Sequence, residues 1–250
     1  MKPNALTTRI RHHLGFTLTE LMVVIVIVSI LATLAFMVGN RVKEKATTVT
    51  CTNNLRQIGL GLAAHQADFR RFPGKNDGKA WDRAILPYLG YAGSDNLKGN
   101  SGLSKSKFPD LVDAAAYFAC PSDKKMRSSD KFPRSYSIVP WTTNWSNGTQ
   151  FRGWRGRPFN EGVPMSIVKN PTTAAVVVEW HAGTDDGTEN VVGQGGHAYH
   201  DRGGPDGPDD DLHNRNQIVL FADGHTEVLP FMSNSDFVEK YWPGKIGSTD

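Results

Sequence analysis

The sequence lacks several features that would assign it to well-known functional classes. No segment repeats at a fixed period, so the repeat architectures are excluded. No H-E-x-x-H or comparable spacing of metal-binding residues occurs, so no motif predicts a metalloenzyme. The formal net charge of +3 is too small for the electrostatic footprint of a general DNA-binding protein. We therefore expect neither an enzyme nor a partner of nucleic acids.

Charge is also missing from a long apolar run, Leu21–Val38, whose only polar side chains are Ser29 and Thr33. A membrane-spanning helix needs about 20 predominantly apolar residues, and the run approaches that length when it is extended back to Phe16. The alternative is a buried core helix, but core helices are rarely apolar on every face. The sequence therefore predicts a transmembrane helix over residues 16–38.

The segment before this run, residues 1–15, contains Lys2, Arg9 and Arg11 but no acidic residue. A basic flank on a first membrane helix keeps that end in the cytoplasm. An ordinary secretory signal is the alternative, but no A-x-A-like cleavage site follows the apolar run. We expect a single-pass protein of the bacterial inner membrane, with a cytoplasmic N-terminus and with residues 71–250 in the periplasm.

The boundary between the two segments reads GFTLTE, from Gly15 to Glu20. It resembles the class III signal of type IV pilins and type II secretion pseudopilins. The resemblance implies that a prepilin peptidase cleaves between Gly15 and Phe16, removes residues 1–15 and N-methylates Phe16. It also implies partnership with other pilin or pseudopilin subunits, with an inner-membrane assembly platform and with the lipid bilayer.

Glu20 is an acidic residue at the edge of the predicted membrane helix, and a carboxylate in hydrocarbon costs about 2.5–3.5 kcal/mol. A nearby opposite charge offsets such a cost. Cleavage would create an ammonium group at Phe16, and a filament places helices side by side. The carboxylate then has three possible partners: a neighbouring subunit's ammonium, its own subunit's ammonium one turn away, or the lipid headgroups. We expect the first, which makes Glu20 an assembly residue.

Past the membrane segment, residues 39–70 are expected to continue the helix. Apolar side chains recur there at alternating spacings of three and four, which predicts an amphipathic helix. From residue 71 the composition changes to frequent glycine, proline and aromatic residues. We expect residues 71–250 to form an α+β head, with a small antiparallel sheet packed on the helix as in pilins. The predicted inward face of the helix consists of Leu55, Ile58, Leu62, His65 and Phe69.

Local patterns in the head predict one short helix and several strands. The helix covers Trp81–Leu89 and ends near Pro87. Asp223 and Gly224 form a dipeptide typical of two-residue hairpin turns, because glycine adopts positive φ readily. The predicted strands are Ser135–Val139, Ala174–Trp180, Gln217–Ala222 and His225–Leu229.

The chain has two cysteines, Cys51 on the predicted helix and Cys120 in the head. An even number of cysteines outside the cytoplasm favours pairing. A bridge would close a loop long enough to contribute about 4 kcal/mol in the chain-entropy model. Two free thiols and an intermolecular bridge are the alternatives, and we expect the intrachain disulfide.

The C-terminal third contains HNRNQIVLFADGH, in which His213 is followed by nine residues and then by Asp223 and Gly224. This spacing resembles the H-x9-DG signature of a prepilin-like family. Other segments match the family in chain order and cover nearly the whole sequence: CTNNLRQIGLGL, RFP, WDRAILPYLG, FACPSD and FADGH. Because the family's biochemical role is poorly defined, the resemblance predicts architecture rather than a task.

Histidines and carboxylates are frequent in the same region, and two interpretations are open. One is a zinc site, which needs three such ligands and an open position for catalysis. In the other, Asp223 serves the hairpin turn and His213 bonds to its backbone across the strand pair. We favour the structural interpretation because the spacing matches no metal motif. The residues concerned are His197, His200, Asp201, His213, Asp223 and His225.

An acidic, glycine-rich loop contains Asp209, Asp210 and Asp211, whose oxygen atoms suit calcium. Major pseudopilins, which the chain resembles, bind calcium in a C-terminal loop. The alternative is a solvated loop without a ligand, and we expect that alternative.

A second loop, WTTNWSNGTQFRGWRGRPF from Trp141 to Phe159, combines aromatic residues with arginines. Such a surface suits stacking on sugars or contact with a protein partner. The alternative is that the aromatic side chains fill the head's core, and aromatic burial is common enough that we favour it.

The expected function is therefore that of a structural subunit, processed by prepilin peptidase and assembled into an inner-membrane filament for type II protein secretion. No cofactor is expected for that role. The alternative is a membrane-tethered periplasmic domain that binds a ligand or metal and uses only the pilin export route.

Overall fold

The computed structural model of the chain divides into two compact units, Met1–Glu44 and Lys45–Asp250. The structure describes residues 17–74, 80–93, 97, 102–123, 129–139, 162–168, 170–179, 191–192, 213, 216–230, 237 and 240–241. At residues 35–41 and 167 it describes the backbone alone. The predicted leader, residues 1–15, lies outside the described residues.

The N-terminal helix, α1, runs without a break from Leu18 to Phe69 over 52 residues. A long N-terminal helix followed by an α+β head is the predicted fold, and it is confirmed. Within the described part of the chain, no helix combines the length and the apolar character needed to cross a membrane. The transmembrane helix over residues 16–38 stays a prediction.

The C-terminal part of α1, which belongs to the second unit, buries one face in the head. Leu55 and Ile58 are fully buried and Leu62 is 2% exposed, as the spacing predicts. The prediction for Phe69 is wrong, because its side chain is 54% exposed. Phe69 is the last helical residue, and the next residue, Arg70, turns out of the helix with φ of 57°. The helix has reached the edge of the core there.

Two glycines let α1 approach its neighbours closely. A Cβ atom on Gly59 would lie 3.0 Å from a methyl group of Leu220, in the sheet. One on Gly61 would lie 3.3 Å from a methyl group of Leu89. Glycine lowers helix propensity by about 1 kcal/mol relative to alanine, but here it permits α1 to pack closely on the sheet at Gly59 and on Leu89 at Gly61.

Two short helices follow α1 in the sequence and precede the strands of the sheet. The helix α2, Trp81–Ile85, continues as a 3-10 turn, Leu86–Leu89, with Pro87 in its first positions. A second 3-10 turn, Pro109–Leu111, leads into α3, Val112–Ala116. The helix predicted over Trp81–Leu89 is thus present as an α-helical turn followed by a tighter one.

The head contains a four-stranded antiparallel sheet in the order β1-β2-β3-β4. All four predicted strands occur, with ends that differ by one residue, and Trp180 lies outside the described residues. β1, β2 and β3 are almost wholly buried, whereas β4 is mostly exposed. The strands are Tyr136–Ile138, Ala175–Glu179, Asn216–Phe221 and Thr226–Pro230.

The hairpin between β3 and β4 differs from the prediction. Its connection is longer than the two residues expected, because the last register pair is Leu220 with Thr226 and the Phe221 N–H donates to the His225 carbonyl oxygen. Gly224 adopts φ of 90° and closes the turn by donating its N–H to the Phe221 carbonyl. The glycine has the predicted left-handed role, within a three-residue loop that ends on it.

A charged pair lies in the core of the head. The Arg134 guanidinium donates to the Asp82 carboxylate over 2.7 Å, and their side chains are 1% and 0% exposed. The same guanidinium lies 5.9 Å from the centre of the Trp81 ring. Paired burial of this kind avoids the larger cost of an isolated buried charge.

Candidate functional site

The N-terminus of α1 is fixed by a reciprocal set of hydrogen bonds. The Thr17 N–H and hydroxyl donate to the Glu20 carboxylate over 2.9 and 2.8 Å, and the Glu20 N–H donates to the Thr17 hydroxyl oxygen over 3.2 Å. This is a capping box, in which two otherwise unpaired N–H groups are satisfied. The T-x-x-E pattern of residues 17–20 predicts it, and the sequence interpretation above overlooked that signal.

The capping box gives Glu20 a role within its own subunit. Carboxylates are also stabilised at helix N-termini by the helix dipole. The predicted pairing of Glu20 with a neighbour's ammonium stays a prediction. Gly15 and Phe16 lie outside the described residues.

Apolar side chains cover every side of the following helical segment. Ser29 donates its hydroxyl to the Ile25 carbonyl over 2.6 Å, and Thr33 donates to the Ser29 carbonyl over 2.8 Å. Both polar side chains in this segment are therefore satisfied by the helix itself. The large apolar side chains, each between 51% and 70% exposed, are Leu18, Leu21, Met22, Val23, Val24, Ile25, Val26, Ile27, Val28, Ile30, Leu31 and Leu34.

In the head, Cys51 of α1 and Cys120 form a disulfide across 69 residues of sequence, with Cα atoms 5.2 Å apart. The intrachain bridge is the one that we expected. Cys51 is fully buried and Cys120 is 4% exposed. The bridge ties α1 to the segment that follows α3.

Polar side chains hold the Cys120 segment in place. The Cys120 N–H donates to the Ser135 hydroxyl oxygen over 2.9 Å, and that hydroxyl donates to Asp123 over 2.6 Å. Asn54 of α1 donates its side-chain amide to the Ala119 carbonyl over 2.9 Å. The disulfide therefore lies in a segment that is bonded both to α1 and to Ser135, the residue before the first strand of the sheet.

His213 lies directly against this bridge. Its Nε2 atom is 3.0 Å from a Glu179 carboxylate oxygen and 3.4 Å from Cys120 Sγ. Its Nδ1 atom is 3.0 Å from the Thr48 hydroxyl. The histidine backbone has φ of 44°, a left-handed value that non-glycine residues rarely adopt. Asn216 donates its side-chain amide to the His213 carbonyl over 2.8 Å, which supports that conformation.

Glu179, the last residue of β2, is the carboxylate of this cluster. One oxygen faces His213 and the other accepts the Ile218 N–H over 2.9 Å. Glu179 pairs in register with Tyr136 of β1. Burial raises the pKa of the Tyr136 phenol above its usual range, and the nearby Glu179 charge raises it further. The phenol therefore stays protonated and donates to the Cys51 carbonyl over 3.4 Å.

The two ends of the H-x9-DG motif are not brought together. His213 precedes β3, whereas Asp223 lies in the turn after it and accepts bonds from the His225 N–H and ring over 3.1 and 2.6 Å. Six residues of strand separate them by roughly 20 Å. The prediction that Asp223 serves the turn is confirmed, but the bond from His213 to its backbone is wrong. The nine residues between the two ends of the motif therefore correspond to β3 and its short flanks.

Several other predicted ligands and binding residues fall outside the described residues. These are His197, His200, Asp201, the calcium candidates Asp209, Asp210 and Asp211, and the aromatic stretch from Trp141 to Phe159. Thr48 and Glu179 were missed by the sequence interpretation. No local pattern marks them, because they meet His213 from 165 and 34 residues away.

Comparisons with known proteins identify the N-terminal region. Residues 10–36 match the prokaryotic N-terminal methylation motif. The chain carries the prepilin-type N-terminal signal of type IV pilin-like proteins. Residues 40–163 match the family described as "Protein of unknown function (DUF1559)". No curated protein and no solved structure matches the chain.

Proposed function

We propose that this pilin-like protein is a structural, non-catalytic subunit of an inner-membrane filament of the type II secretion kind. Prepilin peptidase cleaves it between Gly15 and Phe16 and methylates the new terminus. The observation that carries the proposal is a methylation motif over residues 10–36, joined to a helix whose apolar side chains are exposed on every side.

The exposed apolar helix needs a non-aqueous environment. Each large apolar side chain contributes about 1.5–3 kcal/mol when it is buried, and twelve such side chains between Leu18 and Leu34 are more than half exposed. A protein with a pilin-like signal would meet two such environments, the lipid of the membrane and the helices of other subunits. We propose that this segment anchors the precursor in the membrane and packs against other subunits in the filament.

Orientation in the membrane follows from the leader. Residues 1–15 carry basic side chains and no acidic ones, which favours a cytoplasmic N-terminus. The head would then lie in the periplasm, where the Cys51–Cys120 disulfide is stable. The membrane topology is part of the proposal.

Glu20 provides the assembly contact in this proposal. The capping box bonds its carboxylate to Thr17 at the start of α1, and Thr17 directly follows Phe16 in the sequence. An ammonium from an adjacent subunit would offset the carboxylate's desolvation in the filament. Capping and intersubunit pairing use the same group, so the experiment must separate them.

The test compares Glu20→Gln, Glu20→Val and Thr17→Ala in the full chain expressed in its membrane. Glutamine keeps a capping acceptor but removes the charge, whereas Thr17→Ala keeps the charge and weakens the cap by about 0.5–2 kcal/mol. We expect all three to insert and to be cleaved. Cross-linked multimers should disappear in both Glu20 variants and persist in Thr17→Ala, because removing one partner of a buried pair costs about 3–5 kcal/mol.

Processing is the control for assembly. Gly15→Leu should block cleavage, since a bulky side chain obstructs access to the scissile carbonyl, and mass spectrometry should then find the uncleaved chain. Multimers of normal size from Glu20→Gln would show that the charge does not drive assembly. A mature chain beginning at Phe16 in Gly15→Leu would contradict the assigned cleavage site.

A further inference from the structure

Four potential metal ligands from four separate parts of the head converge at one buried place. The sulfur atoms of Cys51 and Cys120, a Glu179 oxygen and a His213 ring nitrogen all lie within 4.8 Å of one another. Cys51 belongs to α1, Glu179 to the end of β2, and His213 directly precedes β3. We propose that reduction of the disulfide converts this cluster into a tetrahedral zinc site. The proposal does not depend on filament assembly.

The distances suit a tetrahedral ion. Bond lengths of about 2.3 Å to sulfur and 2.0–2.1 Å to nitrogen or oxygen place the ligand atoms of a zinc site about 3.3–3.8 Å apart. His213 Nε2 already lies 3.0 Å from Glu179 and 3.4 Å from Cys120 Sγ. The two bonded sulfur atoms are the pair that must separate, and reduction releases them. Small side-chain movements then complete the site.

The surrounding hydrogen bonds orient the ligands. In the tautomer that carries its hydrogen on Nδ1, His213 donates a hydrogen bond to the Thr48 hydroxyl oxygen over 3.0 Å, and the lone pair of Nε2 points towards the cluster. The Ile218 N–H holds the second oxygen of Glu179 over 2.9 Å, while the first oxygen faces His213. Ligands held in this way from outside are typical of metal sites.

Burial and backbone geometry also favour a role beyond packing. The side chains of His213 and Glu179 are 0% and 3% exposed. His213 is held in a left-handed conformation, and such outliers concentrate at functional sites. Cys2His and carboxylate ligands together match the ligand types that zinc prefers.

The chemistry balances with a dithiol as the reductant. The dithiol forms its own internal disulfide and delivers two electrons and two protons, which break the Cys51–Cys120 bond and leave two thiols. Zn²⁺ then displaces the two thiol protons to solvent and binds two thiolates, the Glu179 carboxylate and neutral His213. The ion offsets the charge of thiolates that would otherwise be buried.

Cobalt substitution tests the site in the full chain in detergent. The protein is reduced anaerobically with a dithiol, freed of the reductant and titrated with Co²⁺. We expect one Co²⁺ per chain, with the thiolate-to-cobalt charge-transfer absorption and the intense visible bands of tetrahedral cobalt, and Zn²⁺ should remove both. The oxidised chain should show neither. Reduced chain without thiolate absorption would overturn the proposal.

Variants identify the ligands. Glu179→Gln and His213→Gln should each weaken Co²⁺ binding by at least the roughly 10–100-fold range seen for supporting residues, and Thr48→Val should fall within that range. The matched control is Asp223→Asn, which removes the carboxylate of an exposed histidine–carboxylate pair elsewhere in the head and should leave affinity unchanged. Unchanged affinity in His213→Gln would overturn the proposal. Thiolate absorption that persists in the Cys51→Ser/Cys120→Ser chain would also overturn it.

Discussion

Removing the carboxylate of the buried Asp82–Arg134 pair should destabilise the head strongly. Asp82→Asn has nearly the same shape, but it removes the charge that faces the Arg134 guanidinium 2.7 Å away. Both side chains are at most 1% exposed, so water cannot replace the lost carboxylate. Breaking one side of such a pair costs about 3–5 kcal/mol.

The expected loss is large enough to measure as a melting temperature. In a domain of 150–250 residues, 1 kcal/mol corresponds to about 2–4 °C. The second unit, Lys45–Asp250, falls in that size range, so we expect Asp82→Asn to lower Tm by roughly 6–20 °C. Near-ultraviolet circular dichroism of the full chain in detergent follows the transition, because Trp81 lies 5.9 Å from the Arg134 guanidinium.

Two further variants separate desolvation from simple loss of contact. Asp82→Asn/Arg134→Met removes both charges and keeps an acceptor for the buried Arg83 N–H, so it should be closer to the wild-type stability than either single change. Asp130→Asn is the matched control, since Asp130 is exposed and accepts bonds from Ser104 and Ser106. It should change stability by less than about 0.5 kcal/mol. The reasoning is refuted if the Tm of Asp82→Asn equals that of Asp130→Asn.

Two further predictions concern smaller effects at other residues. Gly224→Ala should lower the unfolding free energy by roughly 1–2 kcal/mol because of its left-handed backbone alone, since no atom lies within 4 Å of the added Cβ. Gly162→Ala should lower it more, because its Cβ would overlap the Phe72 carbonyl oxygen. Equal losses in the two variants would contradict this prediction. Burial raises the pKa of Tyr88 to about 12, with help from its hydrogen bond to Asp68 and from the Asp68 charge. The unfolding free energy should therefore hold below the ordinary tyrosine pKa of about 10 and fall as pH rises towards 12, and an unchanged decline in Tyr88→Phe would show that another group causes it.

Short-range patterns predicted the secondary structure of the head. Alternating spacings place Leu55, Ile58 and Leu62 on one face of a helix, and that face is buried. Phe69 has the same spacing but lies where α1 leaves the core, and periodicity carries no information about where a core ends. The Asp223-Gly224 turn was predicted as a turn, but its length depends on the register of two strands.

The cluster around His213 was beyond sequence reasoning for a different reason. Its ring contacts Thr48 and Glu179, which come from α1 and β2 and share no spacing with the histidine. The fold alone brings them together. The capping box of Thr17 and Glu20 is the opposite case, because three residues of separation carry the whole signal.

The Cys51–Cys120 bridge has a mechanical consequence for a protein pulled through its N-terminal helix. Tension that arrives along α1 passes the hydrogen bond between Thr48 and His213 and then reaches the covalent cross-link at Cys51. Without the bridge, the 69 residues of sequence that separate the two cysteines could extend under tension to roughly 230–250 Å. While the bridge is intact, this part of the chain cannot extend, and the connection through the two cysteines stays short and stiff.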